Sequence, residues 1–200
     1  MRLRSVALAS ALALPAALGL VPGPHPFAPP EAVAGVSVLL SLEELAAAST
    51  HVVVARALDR HSQWEELGGG RRIVTYTRVR VERSIVGAPG SEIVVRTLGG
   101  AVDGIGQSVS GEAQLALGKP ALLFVAQGEG ALVVAGMAQG HYPIVESPKE
   151  PPRLAPSPDG GMLLPRRGPT VSAREELVGA TLDAAIAAIG RTRKGQDARR

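Results

Sequence analysis

Residues 72–86, RIVTYTRVRVERSIV, are the stretch from which the fold class of this 200-residue chain can be predicted. Side chains alternate along it between an apolar or hydroxylated face and a mostly polar face. The first face holds Ile73, Thr75, Thr77, Val79 and Val81, and the second holds Tyr76, Arg78, Arg80 and Glu82. A period of two and many β-branched residues are typical of a strand. We therefore expect one long strand with a bulge or bend along it, because a straight strand of this length exceeds a small domain.

Shorter strand patterns flank this stretch and are separated by turn-forming residues. They cover residues 51–62, 92–98, 121–127, 131–140 and 142–145. The first begins apolar on both faces, which predicts burial on both sides. Residues 64–70 are expected to form a turn, and the glycine-rich segment 99–111 is expected to hold one short strand at 105–109. This succession predicts a mainly β fold, either a small antiparallel OB-like barrel or a sandwich.

Two helices are expected at the ends of this β region. Ser41 and Glu44 form a capping box for a short N-terminal helix, and Ser172 and Glu175 form another. The second box starts an amphipathic C-terminal helix over residues 172–189, with Gly190 as its expected end.

The domain organisation follows from these patterns. We expect a signal peptide at 1–21, a Pro-rich spacer at 22–40, a β-barrel domain at 41–145, a Pro-rich linker or loop at 146–170, a C-terminal helix at 171–190 and a basic, disordered tail at 191–200. Arg2 and Arg4 precede an apolar run, as in secretory signals, so a secreted or periplasmic location is predicted. An uncleaved N-terminal anchor is the alternative; no membrane span is expected after signal removal.

The net positive charge of the chain comes from its two ends. The net charge is +3, but the last ten residues, RTRKGQDARR, carry five positive charges and one negative charge. Since Arg2 and Arg4 add two more positive charges, the body of the chain is mildly acidic. This predicts no nucleic-acid-binding face on the folded part. The absence of cysteine excludes disulfides, a thiol nucleophile and cysteine-based metal sites.

Several motifs occur in a characteristic order: LEELAAAS followed by THVVVARA, Ser62 and Trp64 before a loop, RIVTYTRVRVERSIVG, GGAVDGIGQSVSG, LGKPALLFVAQ and VVAGMAQGHYPIV. In this order they resemble a family of uncharacterised exported bacterial β-barrel proteins. The topology is also similar to the OB-like barrel of tissue metalloproteinase inhibitors. Those inhibitors bind the protease metal through an N-terminal cysteine, which this chain lacks, so their mechanism does not carry over.

One predicted binding site is a shallow groove between the segment 99–111 and the segment GMAQGHY. Its candidate residues are Asp103, Gln107, Gln139, His141 and Tyr142. The alternative is a hairpin in which glycines only permit a bend. Trp64 is a second binding candidate because it precedes three consecutive glycines, and its alternative role is to cover one end of the core.

Catalytic, metal and cofactor sites are not predicted. His51 and His61 lie at opposite ends of one expected strand, and zinc needs three or four converging ligands. Residues 106–111 do not have the G-x-S-x-G spacing of a serine hydrolase. We therefore expect an exported, non-catalytic binding module whose partner is an unknown protein or envelope component. The alternatives are an inhibitor or accessory factor of a secreted protease, and a hydrolase that uses the surroundings of His141.

Overall fold

The computed structural model describes residues 36–165 and 170–199, and these residues form a mainly β fold. The strands are β1 (Val36–Val38), β2 (His51–Leu67), β3 (Gly70–Val86), β4 (Glu92–Leu98), β5 (Gly100–Val102), β6 (Ile105–Gln107), β7 (Pro120–Gln127), β8 (Leu132–Val134), β9 (His141–Val145), β10 (Arg153–Leu154) and β11 (Met162–Leu164). The helices are α1 (Leu42–Ala48), α2 (Ala173–Leu177) and α3 (Leu182–Asp197), with a 3-10 turn at Met137–Gly140. The expected signal peptide at 1–21 lies outside the described residues.

The long hairpin of β2 and β3 is the largest element of the sheet. Both strands have 17 residues, and Gly68 and Gly69 join them at φ 60° and 79°. Two left-handed residues suit a two-residue hairpin turn. The predicted long strand is thus confirmed, and three register shifts between β2 and β3 confirm the expected bulges. The turn predicted at 64–70 is wrong, because Trp64 still pairs with Ile73 and only the two glycines turn the chain.

Seven strands form one sheet in the order β10-β9-β7-β2-β3-β4-β8. Neighbouring strands are antiparallel except for β4 and β8, which are parallel. Strand β8 also pairs with β7. Each of the strands β2, β3, β4, β8 and β7 therefore pairs with two others of this group.

The first part of β2 and most of β7 are buried on both faces, as their apolar runs predict, and they separate two cores. The helix-side core lies against α1, α2 and α3, and its buried residues are Leu42, Leu45, Ala46, Val52, Val54, Leu122, Phe124, Ala135, Tyr142, Ile144, Leu154, Ala173, Leu177, Ala185 and Ile189. The sheet core lies on the opposite faces, and its buried residues are Val53, Ala55, Ala57, Val79, Ile93, Val95, Ala113, Leu115, Ala121, Leu123, Val125 and Val134. The period of two in a strand explains why Val52 and Val53 enter different cores.

Two segments with many glycines differ from their predicted structure. The segment 99–111 holds the hairpin β5–β6 instead of one strand, and Asp103 and Gly104 form its turn at φ 51° and 78°. The strand predicted at 131–140 ends at Val134, because Gly136 and Met137 adopt φ 63° and 58°. These left-handed residues turn the chain back so that β9 pairs with β7.

The Pro-rich segment 146–170 is part of the fold in the residues described. Strand β10 pairs with β9, and Leu154 is buried in the helix-side core. Strand β11 pairs with β1, which lies inside the predicted spacer 22–40. The predicted spacer 22–40 and the predicted linker or loop 146–170 therefore contain short strands: β10 lies at the edge of the seven-stranded sheet, whereas β1 and β11 form a separate two-stranded parallel sheet.

The predicted N-terminal helix and both capping boxes are confirmed. The single helix predicted over 172–189 is instead two helices, since Val178 adopts an extended conformation and Thr181 starts α3 as a new N-cap. Gly190 does not end α3, which continues to Asp197. A glycine costs a helix only about 1 kcal/mol, and packing of α3 against α1 offsets that cost.

The basic tail predicted to be disordered is helical up to Asp197. Arg193 donates to the backbone oxygen of Ala46 at 3.2 Å, and Gln196 donates to that of Glu43 at 2.6 Å. None of the helices in the described ranges is long and apolar enough to cross a membrane.

Candidate functional site

A mostly apolar cavity of about 210 Å³ lies beside the sheet core. We call it the His141 cavity, and its lining is Ala55, Ala57, Val79, Gln114, Leu115, Ala116, Lys119, Pro120, Ala121, Leu123, His141, Pro143, Ile144 and Pro158. Small alanine side chains on β2 and β7 leave this space open. His141 starts β9 and pairs with Leu123 on β7, so the regular sheet fixes its position.

The imidazole of His141 is almost completely buried, with 3% of the residue exposed. Burial lowers its pKa to about 4, because an apolar environment disfavours the charged imidazolium. The ring is therefore neutral at pH 7. Its Nδ1 is 3.0 Å from the hydroxyl oxygen of Ser157. Its Nε2 makes no hydrogen bond with any residue the structure describes, and the residue lines the mostly apolar cavity.

Close approach of the backbone requires glycine immediately before His141. A Cβ added at Gly140 would lie 2.2 Å from the backbone oxygen of Ala135. The glycines predicted at this bend therefore do more than permit it, because one of them lets β9 start where His141 enters the cavity.

Gln139 holds strand β1 in place. Its Oε1 accepts a hydrogen bond from the Leu40 amide at 2.9 Å, and its Nε2 donates to Ser37 Oγ and the Val38 backbone oxygen, both at 3.1 Å. All donors and acceptors of a buried amide must be paired in this way. The structural role is therefore sufficient to explain Gln139.

Tyr142 is buried in the helix-side core, where its ring meets Phe124 edge to face at 6.1 Å. Burial raises the pKa of Tyr142, while Arg174 lowers it and Glu176 raises it to smaller extents. Its hydroxyl has no hydrogen-bond partner among residues 36–165 and 170–199. With Gln139, Tyr142 lines a cavity of about 20 Å³, which is enough for one water molecule.

A second large cavity, of about 200 Å³, is mostly polar. We call it the Glu112 cavity, and its lining is Arg60, Thr75, Thr77, Thr97, Leu98, Gly99, Gly100, Gln107, Ser108, Val109, Glu112, Ala113, Gln114 and Leu115. The predicted binding residue Gln107 lies here, where its Oε1 accepts the Ile73 amide at 2.6 Å. This bond ties the β5–β6 hairpin to β3.

Glu112 is the functional candidate that the sequence patterns did not reveal. The residue is 8% exposed, and its Oε1 accepts the Ala113 amide at 3.0 Å. Burial raises the pKa of Glu112, while hydrogen bonds from the backbone of Ala113 and Leu98 oppose this shift. One signal could have found it: Glu112 is the only charged residue in the stretch 104–118.

The structure does not bring the predicted groove residues into one cavity. The two segments do meet, since the Ala138 amide donates to the Gly111 oxygen at 2.9 Å. However, His141, Gln107 and the pair Gln139–Tyr142 line three different cavities. Asp103 lies exposed at the turn of the β5–β6 hairpin and lines none of the three.

Trp64 lies on the outer part of the β2–β3 hairpin and also lines none of these cavities. Its ring lies under the guanidinium of Arg71, whose central carbon is 4.8 Å from the ring centroid. A neighbouring cluster joins the stacked rings of His61 and Tyr76, and Tyr76 donates to Glu65 at 2.6 Å. Hydrogen bonds from Tyr76 and Gln63 are the main causes that lower the pKa of Glu65.

No group of three or more His, Cys, Asp or Glu residues suited to a metal ion occurs within residues 36–165 and 170–199. His51 starts β2 and lies opposite Val125, whereas His61 lies within β2 opposite Tyr76. His25 lies outside the described residues.

No protein-family model matches this sequence, and a search of curated proteins gives no match.

Proposed function

We propose that this protein is an exported, non-catalytic binding module, and that the His141 cavity holds an apolar group of a protein or envelope component. The carrying observation is the buried, neutral imidazole in a mostly apolar cavity, whose Nε2 makes no hydrogen bond with the described residues. Binding sites commonly combine apolar walls with a few placed polar groups.

The volume of the His141 cavity limits the size of the group that it can hold. At about 210 Å³ it is smaller than the roughly 300–1,000 Å³ of sites for drug-sized ligands. It suits one side-chain-sized group, such as an indole or a phenol. The neutral imidazole would donate to or accept from a single polar atom on that group, according to which ring nitrogen carries the proton.

The fold belongs to the same proposal: the five mutually paired strands form a small barrel of the OB type. The support is the pairing order β2-β3-β4-β8-β7, in which β8 pairs with both its neighbours and β4–β8 is parallel. OB folds are five-stranded Greek-key barrels that recur in binding proteins. Membership in the family of exported β-barrel proteins that the motifs resemble is part of this proposal, as is a secreted or periplasmic location.

The hydrolase alternative has one supporting contact and two opposing facts. Ser157 lies 3.0 Å from Nδ1 of His141, as a nucleophile could lie from a base. However, no carboxylate among the described residues hydrogen-bonds to the ring, and a pKa of about 4 makes the imidazole a weak base at neutral pH. The contact therefore supports an orienting role for Ser157.

The inhibitor alternative is supported by the β5–β6 hairpin. Its turn is exposed, Ile105 is 55% exposed, and Gln107 fixes the hairpin to β3. A rigid loop with an exposed apolar residue could enter a protease cleft. Inhibition of secreted proteases that is lost in Ile105→Asp would support this alternative.

Titration with indole and p-cresol tests the binding proposal. We expect saturable shifts of the Leu123 and His141 amides in ¹H–¹⁵N spectra of the full chain, with a Kd near or below about 1 mM. Ala116→Leu should abolish the shifts, because Ala116 is exposed and lines the cavity. Ala101→Leu is the matched control, since Ala101 is exposed on β5 and lines neither large cavity. Unchanged binding in Ala116→Leu would refute the proposal.

A further inference from the structure

The Glu112 cavity combines two charged side chains that have no charged partner. Arg60 and Glu112 both line it, and neither forms an ion pair with any residue in the described part of the chain. Glu112 is almost completely buried, whereas Arg60 is exposed. The carboxyl therefore lies deep in the cavity, and the guanidinium lies towards solvent.

An ionised carboxylate that is buried without a cation is costly. The amide of Ala113 supplies one hydrogen bond to Glu112 at 3.0 Å, but an amide carries no net positive charge. Glu112 thus retains the capacity to pair with a cation, since no described residue forms an ion pair with it. A ligand ammonium group would fill it with charge-assisted hydrogen bonds.

Hydroxyl groups extend this polar surface along β3 and β4. Thr75 donates to the backbone oxygen of Gly99 at 2.6 Å, and Thr97 donates to that of Thr75 at 3.4 Å. Thr77 is 2% exposed, and its hydroxyl makes no hydrogen bond with any described residue. An unpaired hydroxyl in a nearly buried position is a further group available to a polar ligand.

The cavity volume limits the ligand to a few heavy atoms. About 200 Å³ corresponds to roughly seven water molecules at about 30 Å³ each. A large peptide or sugar chain does not fit, whereas a molecule with six or so heavy atoms does.

We propose that the Glu112 cavity binds a small free α-amino acid as its zwitterion, with the ammonium group at Glu112 and the carboxylate at Arg60. A zwitterion matches both unpaired charges, whereas a simple amine would leave Arg60 unpaired and would place a second cation near it. Arg60 can bind a carboxylate through two parallel hydrogen bonds. The threonine hydroxyls would surround the remaining atoms.

This inference is independent of the His141 cavity, although Gln114 and Leu115 line both cavities. Burial raises the pKa of Glu112 in the free protein, and a bound ammonium would favour the ionised carboxylate again. Arg60 and Glu112 are the only charged side chains in the lining, so no other group of the cavity would titrate with the ligand.

Three matched probes test the zwitterion: L-alanine, ethylamine, which lacks the carboxylate, and propionate, which lacks the amine. Calorimetry with the full chain should detect L-alanine, and either fragment should bind at least about tenfold more weakly, as when one charge-assisted bond is lost. In ¹H–¹⁵N spectra, L-alanine should shift the amides of Ala113 and Leu98, which contact the Glu112 carboxyl. Ethylamine or propionate binding as tightly as L-alanine would overturn the proposal.

Charge-removing variants test the two contacts separately. Glu112→Gln retains an oxygen for the Ala113 amide, and Arg60→Gln changes an exposed residue, so both should fold. Each should weaken L-alanine binding by about tenfold or more. Glu129→Gln and Arg83→Gln remove exposed charges outside the cavity and should leave binding unchanged. Binding that survives in Glu112→Gln and in Arg60→Gln, or an absence of L-alanine binding, would refute the site.

Discussion

The His141 cavity and the Glu112 cavity have almost the same volume but opposite chemistry. Each contains one nearly buried titratable residue, His141 in the apolar cavity and Glu112 in the polar one. Burial shifts both pKa values in the direction that favours the neutral form. The difference lies in the surroundings, because backbone amides stabilise the Glu112 carboxylate, whereas His141 has only a serine hydroxyl. An apolar wall therefore suits a neutral ligand group, and the polar wall retains the capacity for a charge.

Substitution of Leu115, which lies between the two cavities, should have the largest effect on stability. Leu115 lines both cavities and is 6% exposed, whereas Leu117, two residues later, is 47% exposed. Leu115→Ala should lower the free energy of unfolding by about 2–5 kcal/mol, because it enlarges a buried cavity. Leu117→Ala should change it by about 0.5 kcal/mol or less. Urea denaturation of the two variants measures this difference, and equal effects would show that Leu115 is not a buried wall.

The stability contributed by His141 should fall as the pH is lowered. Its pKa is about 4 in the folded protein and about 6.5 in an unfolded chain, so below pH 6.5 the unfolded state binds the proton first. Between pH 7 and pH 4.5 the wild type should therefore lose about 2–3 kcal/mol more stability than His141→Gln. Urea denaturation at both pH values isolates this difference from the carboxylates, which the two proteins share. An identical pH dependence in both proteins would contradict the buried, neutral imidazole.

Glu112 should change the pH dependence of stability less than His141 does, and in the opposite direction. A raised carboxyl pKa means that the unfolded state loses its proton first as the pH rises above about 4.5, so stability falls with rising pH. Glu112→Gln should remove this loss and raise the stability at pH 7 by up to about 1 kcal/mol. The variant should have little effect at pH 4, where the carboxyl is largely protonated in both states. Destabilisation at pH 7 would instead show that Glu112 stabilises the fold as a carboxylate.

The sequence allowed prediction where the determinant is local. Alternation predicts β3, the capping boxes predict the starts of α1 and α2, and the polar segment GMAQGHY indicates His141. The hairpin β5–β6 was missed although Asp103 and Gly104 form a recognised two-residue turn. Long-range contacts were not predictable: Ser157 reaches His141 from a Pro-rich segment that has no periodic pattern.

The buried carboxyl was missed for a related physical reason. Glu112 lies outside any helix or strand, so no periodicity relates it to the sheet that buries it. Its environment depends on Thr77 and Thr97, which reach it from other strands. The predicted groove residues do not line one cavity for a similar reason: proximity of two segments does not determine which way their side chains point. Gln139 and Gln107 are both polar residues near glycines, and each accepts a hydrogen bond from a backbone amide.

Substitution of Trp64 should have the smallest effect on stability. It also tests whether the β2–β3 hairpin responds to ligands that bind in the two cavities. It is the only tryptophan of the chain, so its fluorescence reports on the hairpin alone. Because its main polar contact is the exposed Arg71, Trp64→Phe should cost about 0.5–1 kcal/mol and leave the binding of p-cresol and L-alanine unchanged. Neither ligand should alter the fluorescence of the wild type. A change on ligand addition would show that the hairpin responds to a cavity, and the predicted binding role of Trp64 would then have direct support.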